Sequence, residues 1–289
     1  MRSPLNTQTS PTPRIPPTAE LFRCPAMTRW IAFPHDASAF RYDPATLAAL
    51  WPQLHAGDAE PLPTDARVLA AWSLFHAGEF QAAFEAGLHA HAEGAQNSLA
   101  VANKAQAVHA HFVETSERLK LAQFVDIAAR ATAQIAAEPH SASAHYFLAY
   151  ALSHYSHGIS IANALAQGLG AKVKSALEVT IALAPQYADA HLALGAFHAE
   201  VIDKVGALLG RTQGASKEAG LAMFKTALKL NPDSAQVRVD YANGLVMLDG
   251  ERELALATRL YQDAAASTPL DALQRLNVER ARAELADEH

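Results

Sequence analysis

Cysteine is nearly absent. A single residue, Cys24, excludes an intrachain disulfide framework and any thiolate-based metal site within one chain. Basic runs are missing and the formal net charge is −6, which argues against a nucleic-acid surface. Long apolar runs are missing too. His, Lys, Asp or Glu interrupts each helical stretch well short of the ~18 apolar residues of a membrane span, so no membrane insertion is expected. Residues 1–26 carry six prolines and no apolar core of a signal peptide. Arg23 stands before Cys24 where a lipoprotein signal requires a small residue. A cytoplasmic location is the resulting expectation. Valine and isoleucine are sparse while alanine is common, which favours helix over strand. No Gly-x-Ser-x-Gly elbow, His-Glu-x2-His pair or nucleophilic-cysteine constellation occurs, so no catalytic residues, cofactor or enzymatic activity are expected.

Proline is scarce as well beyond Pro63. The four that remain are Pro139, Pro185, Pro232 and Pro269, at steps of 46, 47 and 37 residues. Each step holds two helices and a turn, and a recurrence of that size signals a solenoid. The residues around the prolines repeat. Counting back from Pro232 gives Ala227, Phe224 and Gly220, and from Pro269 gives Ala264, Tyr261 and Ala257. Counting forward six residues from Pro139, Pro185 and Pro232 gives His145, His191 and Arg238; three further on stand Leu148, Leu194 and Tyr241, each followed by Ala or Gly. Small and large residues three and four apart share one stripe of a helix, and the small ones let two helices approach closely.

This pattern resembles the tetratricopeptide family. Ala257-x3-Tyr261-x2-Ala264-x4-Pro269 carries the second half of that consensus, and His191-x2-Leu194-Gly195-x2-His198 carries the first half with histidine in place of both aromatic residues. Gly78-Glu79-Phe80-x2-Ala83 resembles the family's turn. The resemblance implies an all-α fold: a right-handed tetratricopeptide-like α-solenoid of about five helical hairpins with a C-terminal capping helix. The units ending at Pro185 and Pro232 exceed the family's ~34 residues by about a dozen. That extra length, with the run from Leu208 to Leu228, is similar to the T-component of TRAP-type transporters and to regulators of microtubule dynamics. The absent lipoprotein signal departs from the former.

Three regions are expected: a disordered Pro-rich tail over 1–26, an irregular cap over 27–63 with one short helix after Asp43-Pro44, and a helical repeat domain over 64–289. The final helix, 271–285, offers Arg275, Glu279, Arg280, Arg282 and Glu284 as a polar outer face suited to a terminal cap.

Fourteen histidines raise the question of a metal. His89-x-His91 and His109-x-His111 project ~200° apart on a helix and cannot clasp one ion. His154 and His157 could share a face, as could His191 and His198, but His145 and His191 occupy positions where the repeat packs an aromatic ring. No metal site is expected. Gly168-Leu169-Gly170 lacks the third glycine and the strand of a nucleotide loop and reads as a hinge.

The first helices of the hairpins line the concave side of such a solenoid. There they would present Tyr146, Tyr150, His191, His198, Arg238 and Tyr241, a groove suited to a peptide terminus or a small organic acid. The expected function is a non-enzymatic scaffold that holds a protein or peptide partner in that groove, with homo-oligomerisation compatible. The alternatives are an accessory solute-binding subunit of a TRAP-type system, as the resemblance implies, and a His-dependent metal-binding regulator or enzyme.

Overall fold

A computed structural model describes residues 29–287, and the expected tail over 1–26 lies outside them. Among the described residues there is no β-strand. Residues 29–43 run irregularly to α1 (Pro44–Leu54). Pro44 presets its first turn, and the Asp43 side chain accepts from the Ala45 and Thr46 amides. Trp30 and Phe33 lie against Phe84 and Phe80, while Trp51 meets Trp72 edge to face.

Five helical pairs follow: α2 (Ala66–His76) with α3 (Phe80–Ala92), α4 (Ser98–Val108) with α5 (Glu117–Ala137), and α6 (Ala142–His157) with α8 (Leu169–Leu183). Then come α9 (Ala188–Thr212) with α10 (Lys217–Leu230) and α11 (Ala235–Asp249) with α12 (Leu254–Ala265). Ser141, Ser216 and Ser234 cap α6, α10 and α11, each accepting a backbone amide of the first turn. Pro139, Pro185 and Pro232 lie in the turns just before α6, α9 and α11, and Pro269 just before α13 (Ala272–Asp287).

The two long repeats place their extra residues differently. In the third pair a short helix, α7 (Ile161–Ala166), is inserted between α6 and α8. In the fourth, α9 runs on past a kink at Gly206, whose φ of 80° a side chain would strain. The surplus leaves Ile161, Leu165, Leu208 and Leu209 exposed.

Close packing follows the small-large pattern. Phe224 of α10 is wholly buried, with its ring held between Gly195 of α9 and Gly244 of α11 and stacked on Tyr241. The histidines in the aromatic positions have a second role. His145 and His191 bond, through Nε2, the carbonyls of Pro139 and Pro185 at 3.0 and 2.9 Å, closing the turn six residues upstream.

The array does not stay open. It curls until α13 meets α2. Tyr42 donates to the Leu270 carbonyl at 2.6 Å, His76 Nδ1 lies 2.8 Å from Asp271 Oδ2, and Ala272 and Leu276 join the N-terminal core. The terminal helix was expected to turn a polar face outward. Arg282 is exposed, but Ala272, Leu276, Val278 and Ala281 are buried, and Arg280 faces the interior of the curve. The helix closes the superhelical turn as well as ending the stack.

Candidate functional site

Closure converts the concave groove into a passage along the superhelix axis. α6 contributes Tyr146, Tyr150 and His154, four residues apart and therefore on one face. α9 adds Asp189, Ala193, Phe197 and Glu200, and α11 adds Gln236 and Asp240, at the same kind of spacing. His111 comes from a π-helical turn, His109–Val113, which ends α4 and breaks its register. Arg280 arrives from α13. Together they enclose a cavity of about 310 Å³.

Its inner end narrows to a waist of about 30 Å³ lined by Tyr146, Tyr187, Asp58, Lys104 and Asp189. Beyond it a wider cleft of about 840 Å³ opens to the other side, bordered by Arg238, Asn277 and the turns around Pro232 and Pro269. Asp189 and Gln236 border all three spaces.

The electrostatics are those of a sheltered, acidic cavity. Arg280 reaches Asp240 at 3.4 Å and Glu284 at 2.9 Å. Burial raises the Asp240 carboxyl although Arg280 opposes it. Burial pushes Asp189 up to about 6; Lys104 works against this, and Asp58 and Asp240 add to it. His111 Nδ1 lies 3.3 Å from His154 Nδ1. Burial pushes His111 down to about 4 and holds His154 well below its ordinary value, so both rings are neutral at pH 7. Burial would raise Glu200, but its bond to His157 at 2.8 Å and the nearby Lys204 outweigh this and lower it. Among the described residues no three His, Cys, Asp or Glu side chains converge as a metal ion would require.

The six residues expected in the groove separate. Tyr146 and Tyr150 line the cavity. Arg238 borders the wider cleft, where it donates to Ser267 Oγ at 2.9 Å. His191, His198 and Tyr241 are buried between helices: His191 closes its turn, His198 accepts the Ser216 amide at 3.3 Å, and Tyr241 stacks on Phe224. Asp189 and Asp240 were not foreseen, and His154 and Arg280, expected only to share a face with His157 and to lie on the outer face of the last helix, were not foreseen in the cavity. The spacing Tyr146, Tyr150, His154 was readable in α6. Arg280 could be found only once the array was seen to close.

A second polar group sits at the closing seam. Asp58 receives His55 Nδ1 at 2.9 Å on one oxygen and Lys104 Nζ at 2.5 Å on the other. His55 Nε2 lies 3.3 Å from His76 Nε2, and His76 Nδ1 faces Asp271. Burial acts to raise Asp58, but His55 and Lys104 outweigh it and hold the carboxyl well below the usual range. Neighbouring Glu60 is pushed up to about 8, by burial and then by the charge of Asp58. This network joins α1, α2, α4 and the start of α13, so its role is to fasten the ring.

No family model matches the chain, and no curated protein matches it. Among solved structures, a thermophilic tetratricopeptide-repeat protein of Thermus thermophilus superposes with a TM-score of 0.53 at 20% identity. The match covers 75% of this chain and 97% of that one. Likeness at this identity is a likeness of fold: the chain is an all-α, tetratricopeptide-like helical solenoid.

Proposed function

We propose that this protein is a non-enzymatic scaffold that holds a protein partner by a short segment inserted in the axial cavity. The observation that carries the reading is convergence. The first helices of three consecutive pairs, α6, α9 and α11, direct aromatic and ionisable side chains into one sheltered space of about 310 Å³. That lies at the lower end of the ~300–1,000 Å³ of small-ligand sites. It suits a chain end or one or two side chains, whereas a whole helix needs ~10 Å of diameter. The tetratricopeptide-like fold supports an interaction role by analogy of architecture. Among the described residues no serine, threonine or cysteine of the cavity is bonded to a histidine base, which favours binding over nucleophilic chemistry.

A photo-crosslinking residue at Tyr150, introduced in the native cells and mapped by mass spectrometry, tests the reading. A discrete partner segment should attach at Tyr150 and not at exposed Lys225 on α10. Crosslinks no different between the two positions would overturn it.

A further inference from the structure

The charges around the waist do not cancel. Lys104 is taken by Asp58 at 2.5 Å, and Arg280 is shared between Asp240 and Glu284. His111 and His154 of the cavity are neutral at pH 7. Asp189 alone among the carboxylates that border the cavity receives no hydrogen bond and no ion-pair contact from the described residues. It is held there by construction. Its amide donates to the Gly57 carbonyl at 2.9 Å, and its carboxylate lies over Gly57, where a Cβ would come within 2.5 Å of Oδ1. Any other residue at 57 would push the carboxylate aside.

An independent feature points to the same place. Tyr187 is 2% exposed and lines the waist, and its hydroxyl has no hydrogen-bond partner among the described residues. A buried hydroxyl left unpaired is destabilising, and a bound ligand that reached it would relieve this. Tyr187, Tyr146 and Tyr150 follow one another as tilted ring pairs, with centroids 4.8 and 6.0 Å apart, from the waist into the cavity. Aromatic faces beside a carboxylate with no direct partner form an environment for a cation.

We infer that the axial cavity binds a primary ammonium group attached to an apolar body, with Asp189 as counter-ion and Tyr146 and Tyr150 as the wall. The group could belong to the free N-terminus of a peptide or to a small aryl-alkyl amine. This inference rests on the proposed role of the cavity as the binding site and specifies what it recognises.

Calorimetry on the full chain at pH 8, with three ligands of one shape, tests it without any substitution. 2-Phenylethylamine should bind about 10–100-fold more tightly than 2-phenylethanol, the advantage of a charge-assisted hydrogen bond, and 3-phenylpropanoate should bind least. Asp189→Asn should abolish the preference for the amine over the alcohol while leaving alcohol binding unchanged. Phe-Ala-amide against its N-acetylated form distinguishes the sources: loss of binding on acetylation assigns the site to peptide N-termini, and binding of the free amine alone assigns it to small amines. Equal binding of amine and alcohol, tighter binding of the carboxylate, or no binding of any of them would overturn the inference. A partner crosslinked at Tyr150 in the last case would leave the scaffold reading standing without it.

Discussion

Phe224 provides the sharpest test of how the repeats interlock. An alanine at Gly244 would place its Cβ far inside van der Waals contact of Phe224 Cε2 and Cζ, the outer edge of a wholly buried ring. The ring cannot retreat, because its opposite side rests on Gly195, where a Cβ would stand 3.0–3.1 Å from Cδ1, Cε1 and Cγ. Overpacking of this kind costs ~1–3 kcal/mol. Exchanging glycine for alanine inside a helix returns ~1 kcal/mol. The severity of the overlap puts Gly244→Ala near the upper end, a net loss of ~2 kcal/mol. At ~2–4 °C per kcal/mol, the melting temperature should fall by ~4–8 °C, followed by circular dichroism at 222 nm. The decisive arm is Phe224→Leu. Leucine has no atoms where Cε2 and Cζ stood, so the overlap is gone and only the helix gain remains. In that background Gly244→Ala should become stabilising by up to ~1 kcal/mol. Gly195→Ala should show no such reversal, since leucine keeps the atoms nearest Gly195. If Gly244→Ala lowers the melting temperature equally in both backgrounds, the three-helix clasp is wrong.

Two further outcomes follow from the closing seam. Glu60 holds its proton to about 8 in the folded chain but releases it near 4.5 when unfolded, so the stability it contributes is complete below 4.5 and lost as pH rises to about 8. Histidines with depressed values act below ~6.5, so above that the wild-type melting temperature should decline to pH 8 while Glu60→Gln stays flat; parallel slopes would refute the assignment. Asp271→Ala removes the acceptor of the Gln274 amide at 2.7 Å and of His76 at 2.8 Å, a loss of ~2–3 kcal/mol that hydrogen exchange should show as faster exchange in α13; unchanged exchange there would mean that the ring is fastened elsewhere.

Much of this architecture was legible before any coordinates. Four prolines at one repeat position marked the turns, and the serines that follow two of them, Ser141 and Ser234, supplied caps. Ala83, Gly195, Ala227 and Ala264 marked where helices meet closely, because only small side chains permit that approach. The site was only half legible. Tyr146 and Tyr150 lie on the same face of α6 and line the cavity, but Tyr241, His191 and His198 share the concave helices and are consumed by packing and turn closure. Periodicity says which residues share a helix face. It does not say whether that face meets a neighbouring helix or open space.

The chain's own order therefore determined the helices, their pairing and the solenoid, because capping, proline placement and small-large stripes act over a few residues. Tertiary structure decided the closure. The contacts that bend the array into a ring, Tyr42 to Leu270, His76 to Asp271 and Gly57 to Asp189, join residues up to 228 positions apart and carry no local signature. With closure came the axial cavity, the unpaired Asp189 carboxylate and the inward-facing Arg280. Each depends on how the small turn between successive repeats adds up, and that sum is a property of the packed whole.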